Sequence, residues 1–125
     1  MDEGLLLADA LDVAAIRLVE AMQGNEDEPV DEEALSEVSV AAGASLERFW
    51  DWREDRPDHT LPESVRSVFF CADVVAESLE RLLVALHAAD RETVIVKWLA
   101  TSGACEQYER RRIGVATPED FARQS

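Results

Sequence analysis

The sequence predicts an all-α protein, an antiparallel bundle of four main amphipathic helices with a short helical turn at the C-terminal end. Three observations favour this fold class. Apolar residues recur at spacings of three and four along almost the whole chain, which is the period of an α-helix. The breaks between these segments are short and rich in Gly, Pro, Asp and Asn. No segment alternates as a strand does, and the β-branched run VIV at residues 94–96 lies inside a helical pattern.

The first two helices are predicted from one apolar stripe each. Helix one is expected over residues 2–23 and is ended by Gly24 and Asn25. Helix two is expected to begin after Asp31, whose carboxylate can cap the first turn, and to end within FWDWRED at residues 49–55. The two stripes are Leu7, Leu11, Ala14, Leu18 and Met22, followed by Leu35, Val38, Ala42, Leu46 and Phe49.

The third and fourth helices complete the predicted core. Thr60 and Glu63 have the spacing of a capping box before helix three, which is expected to continue to about residue 89. Helix four is expected between Asp90 and Gly114, and residues 117–120 then predict the short C-terminal turn. The two stripes are Val65, Val68, Ala72, Val75, Leu79, Leu82, Leu83 and Leu86, followed by Val94, Trp98, Thr101, Cys105, Tyr108 and Arg112.

Length and composition indicate one domain, residues 1–125, in the cytoplasm. A chain of this length buries roughly two-thirds of its unfolded surface and can build a core without staples. The N-terminus lacks the basic region of a signal peptide. No apolar stretch approaches the ~18 residues of a membrane span. We therefore expect Cys71 and Cys105 to be free thiols.

The charge of the chain is divided unevenly between its two halves. Residues 1–60 carry 17 Asp or Glu against 4 Arg, a net charge of −13. Residues 61–125 carry 10 acids against 8 bases, a net charge of −2. An acidic face creates a field that attracts basic partners and repels nucleic acid and anionic membrane. The predicted partner is therefore a basic protein surface, with no direct contact to nucleic acid or membrane.

The candidate partner-binding residues are the acids of the N-terminal half and two tryptophans near the end of helix two. Phe49, Trp50 and Trp52 have two interpretations: they close the end of the bundle, or a tryptophan anchors a cationic partner among the surrounding acids. The predicted set is Asp9, Asp12, Glu20, Glu26, Asp27, Glu28, Asp31, Glu32, Glu33, Glu37, Trp50, Asp51, Trp52, Glu54 and Asp55.

No catalytic, cofactor-binding or metal-binding residues are predicted, and the chain is not expected to be an enzyme. The carboxylate pairs lack the ExxH pattern of di-iron bundles, and the cysteines and histidines are not at ligand spacing. Arg81 and His87, separated by five residues, resemble the short Arg–His motif of HEPN-type ribonucleases, which are small helical bundles. The resemblance implies RNA cleavage by these two side chains and is the alternative function.

The predicted function is that of an acidic interaction protein, an inhibitor or regulator that docks on a nucleic-acid-handling protein or complex. Phage-type inhibitors of defence systems are one biological setting by analogy. A third interpretation is a salt-adapted structural subunit whose acidity serves only solvation. Self-association as a homodimer through Val13, Ile16 and an exposed Trp50 is compatible with each interpretation.

Overall fold

In the described part of the chain, four α-helices of 21 to 26 residues follow one another. A single 3₁₀ turn lies between the second and third helices, and the described residues contain no strand. The elements are α1 (Asp2–Met22), α2 (Glu32–Glu54), the 3₁₀ turn (Asp58–Thr60), α3 (Glu63–Ala88) and α4 (Arg91–Ile113).

The computed structural model describes residues 2–23, 31–88 and 90–114. The short helical turn predicted at residues 117–120 lies outside the described residues. The predicted partner-binding acids Glu26, Asp27 and Glu28 lie outside them as well.

The four helices pack against one another as an antiparallel bundle, which confirms the predicted fold class. Near one end of the bundle, the hydroxyl of Tyr108 on α4 reaches Asp9 on α1. Towards the other end, the indole Nε1 of Trp98 donates to the carbonyl oxygen of Val19 at 2.9 Å. Early residues of α1 thus meet late residues of α4, and late residues of α1 meet early ones.

α1 and α3 form the centre of the bundle, because each of them contacts all three of the other helices. α2 and α4 make no comparable contact with each other over the described residues. Both central helices bury small side chains in the core. Ala8 and Ala15 on α1, and Ala72 and Ala76 on α3, are almost completely buried.

The predicted apolar stripes are confirmed on all four helices, with their members buried or half-buried against the core. Asp31 caps α2 as predicted, since its Oδ1 accepts from the amides of Glu33 and Ala34. The capping box at Thr60 and Glu63 is wrong. Thr60 ends the 3₁₀ turn and its hydroxyl donates to the carbonyl oxygen of Pro57 at 2.7 Å. α3 begins only at Glu63, directly after Pro62.

None of the helices in the described ranges is long and apolar enough to cross a membrane.

Candidate partner-binding surface

The outer side of α2 carries a line of carboxylates that we name the acidic ridge. Its members lie on the side of the helix opposite Ala42, Leu46 and Phe49, in two groups that the exposed Val40 separates. Every one of them is exposed. The acidic ridge consists of Glu33, Glu37, Glu47, Asp51 and Glu54. Glu47 was missed by the sequence prediction, although its spacing to Asp51 and Glu54 could have identified it.

Two of the four arginines in the acidic half are turned away from the ridge. The Nε and Nη2 atoms of Arg53 each donate to a carboxylate oxygen of Asp73 on α3 at 3.1 Å. Arg53 also pairs with Asp58. Arg56 lies over the Trp52 ring, with 4.7 Å from its guanidinium carbon to the ring centroid. Arg17 and Arg48 are the arginines that remain exposed on α1 and α2.

The two tryptophans of α2 occupy different environments. Trp52 is 8 % exposed, stacks on Phe69 at 5.1 Å between ring centroids, and is covered by Arg56. It closes one end of the bundle and offers little surface to a partner. Trp50 is half-buried and packs against Phe49 at 5.5 Å between centroids. Of the two predicted anchors, Trp50 is the one that keeps an exposed edge beside the acidic ridge.

Asp12 does not belong to the exposed acidic surface, and Asp9 is only partly exposed because its carboxylate pairs with α4, which corrects their predicted positions. The sequence placed them opposite the apolar stripe of α1, but α4 covers that side of the helix. Asp9 accepts from the Tyr108 hydroxyl at 2.6 Å and from Nε of Arg112 at 3.1 Å. Asp12 is only 6 % exposed. Both acids are therefore part of the contact between α1 and α4.

The Asp12 carboxyl is the most unusual titratable group in the described residues. Burial, with the charge of Glu109 as the next cause, raises its pKa to about 7. The Cys105 thiol lies in hydrogen-bonding reach and lowers the pKa of Asp12 in part. Oδ1 of Asp12 has no hydrogen-bond partner in the described part of the chain. Near neutral pH this buried carboxyl group is therefore present in both its protonated and its ionised form.

The cluster around Asp12 does not provide a nucleophile. Burial, followed by the nearby charge of Asp12, raises the pKa of the Cys105 thiol far above its usual range. Burial and the bond to Asp9 likewise raise the pKa of Tyr108. Nucleophilic attack by cysteine requires the thiolate, so this thiol is inert. Within residues 2–23, 31–88 and 90–114, no three His, Cys, Asp or Glu side chains form a group that could hold a metal ion.

The predicted acids of the described residues that lie outside the ridge are exposed, and they are spread over more than one side of the molecule; they are Glu20, Asp31, Glu32 and Asp55. Glu20 lines a groove between α1 and α4, whereas the ridge member Glu37 borders a groove of about 480 Å³ between α1 and α2. Asp31, Glu32 and Asp55 lie exposed near the two ends of α2. The sequence-predicted set therefore contains four members of the ridge and several separate carboxylates.

The structure does not bring Arg81 and His87 together. Both are exposed, but Arg81 lines the groove between α3 and α4 while His87 lines the groove between α2 and α3. Val13 and Ile16 are separated in the same way. Val13 lies in the groove between α1 and α2, and Ile16 lies between α1 and α4.

Similarity to known proteins adds no function to this picture. No family model, no curated protein and no solved structure matches the chain. The arrangement of the helices and the chemistry of their side chains are thus the evidence on which a function rests.

Proposed function

We propose that this protein is a non-enzymatic interaction module that docks the acidic ridge of α2 on the basic surface of a nucleic-acid-handling protein. The observation that carries the proposal is the ridge itself, five exposed carboxylates on one side of one helix. The inward orientation of Arg53 and Arg56 adds support, because it removes neighbouring positive charge from the same hairpin. Rigid α-helical backbone presents the carboxylates in a fixed arrangement before a partner arrives.

The acidic ridge suits steering of a basic partner. Complementary charge raises association rates more than it raises affinity, and the effect falls with ionic strength. From Glu33 to Glu54 the ridge extends about 31 Å at 1.5 Å per residue. One strand of duplex DNA presents about nine phosphates over that length, at ~3.4 Å each. Five carboxylates therefore imitate part of the charge of a nucleic acid and none of its base edges.

Trp50 supplies the apolar contact in this proposal. Tryptophan is enriched among residues that dominate binding energies, and a ring beside carboxylates can stack on an arginine of the partner. Glu47 and Glu54 lie one turn before and one turn after Trp50 on the same helix. Trp52 has no part in the proposal because its ring is covered.

We place this function in the cytoplasm. Free thiols support that setting, since reducing compartments keep cysteines unpaired. Cys71 and Cys105 are both free. An inhibitor or regulator of a nucleic-acid-targeting complex, of the kind found among phage anti-defence proteins, is the biological role that fits this combination of acidity and helical architecture.

The test compares capture of partners by the tagged full chain and by a ridge variant with three carboxylates neutralised, Glu37→Gln, Glu47→Gln and Asp51→Asn. Lysate of the source cells is applied at about 50 mM and at about 500 mM salt, where screening of exposed charges differs strongly. We expect basic nucleic-acid-binding proteins to be retained by the wild type at low salt and lost with the ridge variant. A captured partner should also release its duplex when the wild-type chain is added.

The matched control neutralises three exposed acids of α3 and α4, Glu63→Gln, Glu92→Gln and Glu106→Gln. It changes the net charge by the same amount but leaves the ridge intact. We expect it to retain the same partners as the wild type. Equal losses of captured partner in the ridge variant and in the control contradict docking through the ridge. A captured partner that keeps its duplex when the wild-type chain is added contradicts the proposal of a nucleic-acid-handling partner.

A further inference from the structure

A groove between α1 and α4 has carboxylates on both of its sides. Its volume is about 320 Å³, and Ile16 and Val19 of α1 supply apolar lining. Glu20 of α1 and Glu106 and Glu109 of α4 supply its carboxylates. Among the described residues, no arginine or lysine lines it. We name this feature the α1–α4 groove, and it is separate from the acidic ridge, which lies on α2.

Only one of the three glutamates in the α1–α4 groove has a cationic partner within the described part of the chain. Glu106 pairs with Arg110 at 2.6 Å, so its charge is already compensated. None of the ion pairs between described residues includes Glu20 or Glu109. Arg112, near the end of α4, holds a different carboxylate of α1. The charges of Glu20 and Glu109 are therefore available to a ligand of the groove.

A buried carboxyl group is directed into one end of the α1–α4 groove. Asp12 is 6 % exposed, and its Oδ1 atom has no hydrogen-bond partner in the described ranges. The carboxyl group interacts with the side chains of Cys105 and Glu109, both of which line the groove. Asp12 also lies one turn before Ile16 on the same side of α1. Buried acceptors of this kind are rare in native proteins, and this one points to a ligand that donates hydrogen bonds.

The carboxylates of the groove suit a positively charged hydrogen-bond donor. A primary ammonium group carries one charge and donates three hydrogen bonds. Its hydrogen bonds to carboxylates are stronger than those between neutral groups. Calcium and magnesium ions instead need several oxygen ligands that converge on one point, and no three acidic, histidine or cysteine side chains of the described residues form such a group. The chemistry therefore favours an organic ammonium ion.

We propose that the α1–α4 groove binds a linear aliphatic diamine. One ammonium group donates to Oδ1 of Asp12 and to the carboxylate of Glu109. The methylene chain lies against Ile16 and Val19, and the second ammonium group donates to Glu20.

The spacing of the carboxylates along α1 fits a short diamine. Asp12 and Glu20 are eight residues apart, which corresponds to about 12 Å along the helix axis. Two charge-assisted hydrogen bonds of about 2.8 Å leave roughly 6 Å between the two nitrogen atoms, close to the length of an extended putrescine molecule. The site does not use the acidic ridge or Trp50, so it goes beyond the proposed function and is independent of it.

Isothermal titration calorimetry of the full chain tests the site with putrescine and with n-butylamine, which has the same carbon chain but a single ammonium group. The titrations are made above a pH of about 7, where Asp12 is ionised, and at about 150 mM salt, which screens attraction to scattered carboxylates. We expect saturable binding of a single putrescine molecule per chain, and binding of n-butylamine that is weaker by about tenfold or more. Lack of saturable binding, or equal affinity for the two amines, overturns the proposal.

Two variants distinguish the two ends of the ligand. Glu20→Gln should weaken putrescine by about tenfold and leave n-butylamine within about threefold of the wild type, because a single ammonium group binds at the buried carboxyl. Asp12→Asn keeps the shape of its side chain but removes the charge, so it should weaken both amines by about tenfold or more. A Glu20→Gln variant that weakens both amines equally, or an Asp12→Asn variant that weakens neither, contradicts this binding mode.

The matched control is Glu37→Gln on the acidic ridge, which changes the net charge by the same amount as Glu20→Gln. It should leave the Kd of putrescine within about threefold of the wild type. Equal weakening by the two substitutions would identify general attraction to a chain of net charge −15, and it overturns the proposal.

Nuclear magnetic resonance locates the ligand independently of the substitutions. Putrescine should shift the methyl signals of Ile16 and Val19 and leave those of Val40, which is exposed on α2, unchanged. Shifts at Val40 without shifts at Ile16 and Val19 contradict binding in the α1–α4 groove. These measurements involve no captured protein, so failure of the diamine site and failure of docking through the acidic ridge can be told apart.

Discussion

The phenolic hydroxyl of Tyr108 donates a hydrogen bond of 2.6 Å to Oδ1 of Asp9, joining two residues that lie 99 positions apart in sequence. The same carboxylate accepts from Nε of Arg112 at 3.1 Å. Tyr108 is almost completely buried. One aspartate of α1 thus holds two side chains of α4, and this small network fixes the relation of the first and last helices near one end of the bundle.

Replacing Tyr108 by Phe should lower the free energy of unfolding by about 1–2 kcal/mol, because a buried hydrogen bond to a charged acceptor is lost. Arg112 continues to hold Asp9, so the fold should survive. Urea denaturation followed by circular dichroism measures the change. The comparison variant is Arg110→Gln, which breaks the exposed pair with Glu106 and should alter stability by less than ~0.5 kcal/mol. Similar effects in both variants would contradict a special role for the buried bond.

The raised pKa of Asp12 should make the protein less stable as the pH rises towards neutrality. An unfolded aspartate titrates near pH ~3.9, whereas folding raises the pKa of Asp12 to about 7. Between these values the folded state holds the additional proton, so the free energy of unfolding falls by up to about 1.4 kcal/mol per pH unit. This stability is fully present below pH ~4 and is lost as the pH rises through about 7.

Urea denaturation of the wild type and of Asp12→Asn at several pH values between these limits measures that dependence. We expect a flatter profile for Asp12→Asn, since its side chain does not ionise. Glu109→Gln should shift the wild-type decline to lower pH, because the charge of Glu109 raises the pKa of Asp12. Glu106→Gln, on the exposed side of the same helix, is the matched control. Parallel profiles for wild type and Asp12→Asn would refute this origin of the pH dependence.

Gly4→Ala should destabilise the protein although alanine favours helix. A Cβ atom at this position would overlap the Cη2 and Cζ2 atoms of Trp52 and lie 3.0 Å from Cζ of Phe69. Overpacking of this kind costs about 1–3 kcal/mol. Gly43→Ala is the control, because nothing lies within 4 Å of its added Cβ, and it should gain about 0.5–1 kcal/mol from helix propensity. Thermal unfolding of both variants should therefore move in opposite directions, and a stabilised Gly4→Ala would contradict the close contact with Trp52.

The acidity of the chain is expected to serve interaction and not salt adaptation. The protein should remain folded at low ionic strength, with a modest rise in unfolding temperature as added salt screens repulsion among exposed carboxylates. Far-ultraviolet circular dichroism at about 20 mM and at about 1 M salt distinguishes the two interpretations. Loss of the helical signal at the lower concentration would favour a halophilic subunit over the proposed interaction module.

The helices and their apolar stripes could be predicted because each stripe repeats within one segment of chain. Asp31 was predicted as a cap for the same reason, since its partners are two and three residues away. The contact of Asp9 and Asp12 with α4 could not be predicted in this way. It depends on α4 covering a second side of α1, and the partners on α4 lie about a hundred residues further along the chain.

The sequence predicted an acidic surface from composition alone. The orientation of α2 in the bundle shows which of the carboxylates form the acidic ridge. Carboxylates that cannot be distinguished in sequence have different environments, since Glu47 and Asp51 are exposed whereas Asp12 is buried. Trp50 and Trp52 also differ in exposure, because a step of two residues along a helix rotates the side-chain direction by about 200°. The apolar residues on the outer side of α4 were not predicted to be exposed. The stripe from Val94 to Tyr108 was enough to predict a helix that faces the core, so the other apolar residues were not considered.

The protonated thiol of Cys105 has a consequence for how the bundle opens. Disulfide-exchange reagents attack only thiolates that they can reach, and this sulfur is both buried against α1 and held in its protonated form. Its modification therefore has to wait until α4 separates from α1. The labelling rate of Cys105 therefore reports the separation of α4 from α1, and it equals the opening rate when labelling is faster than reclosing.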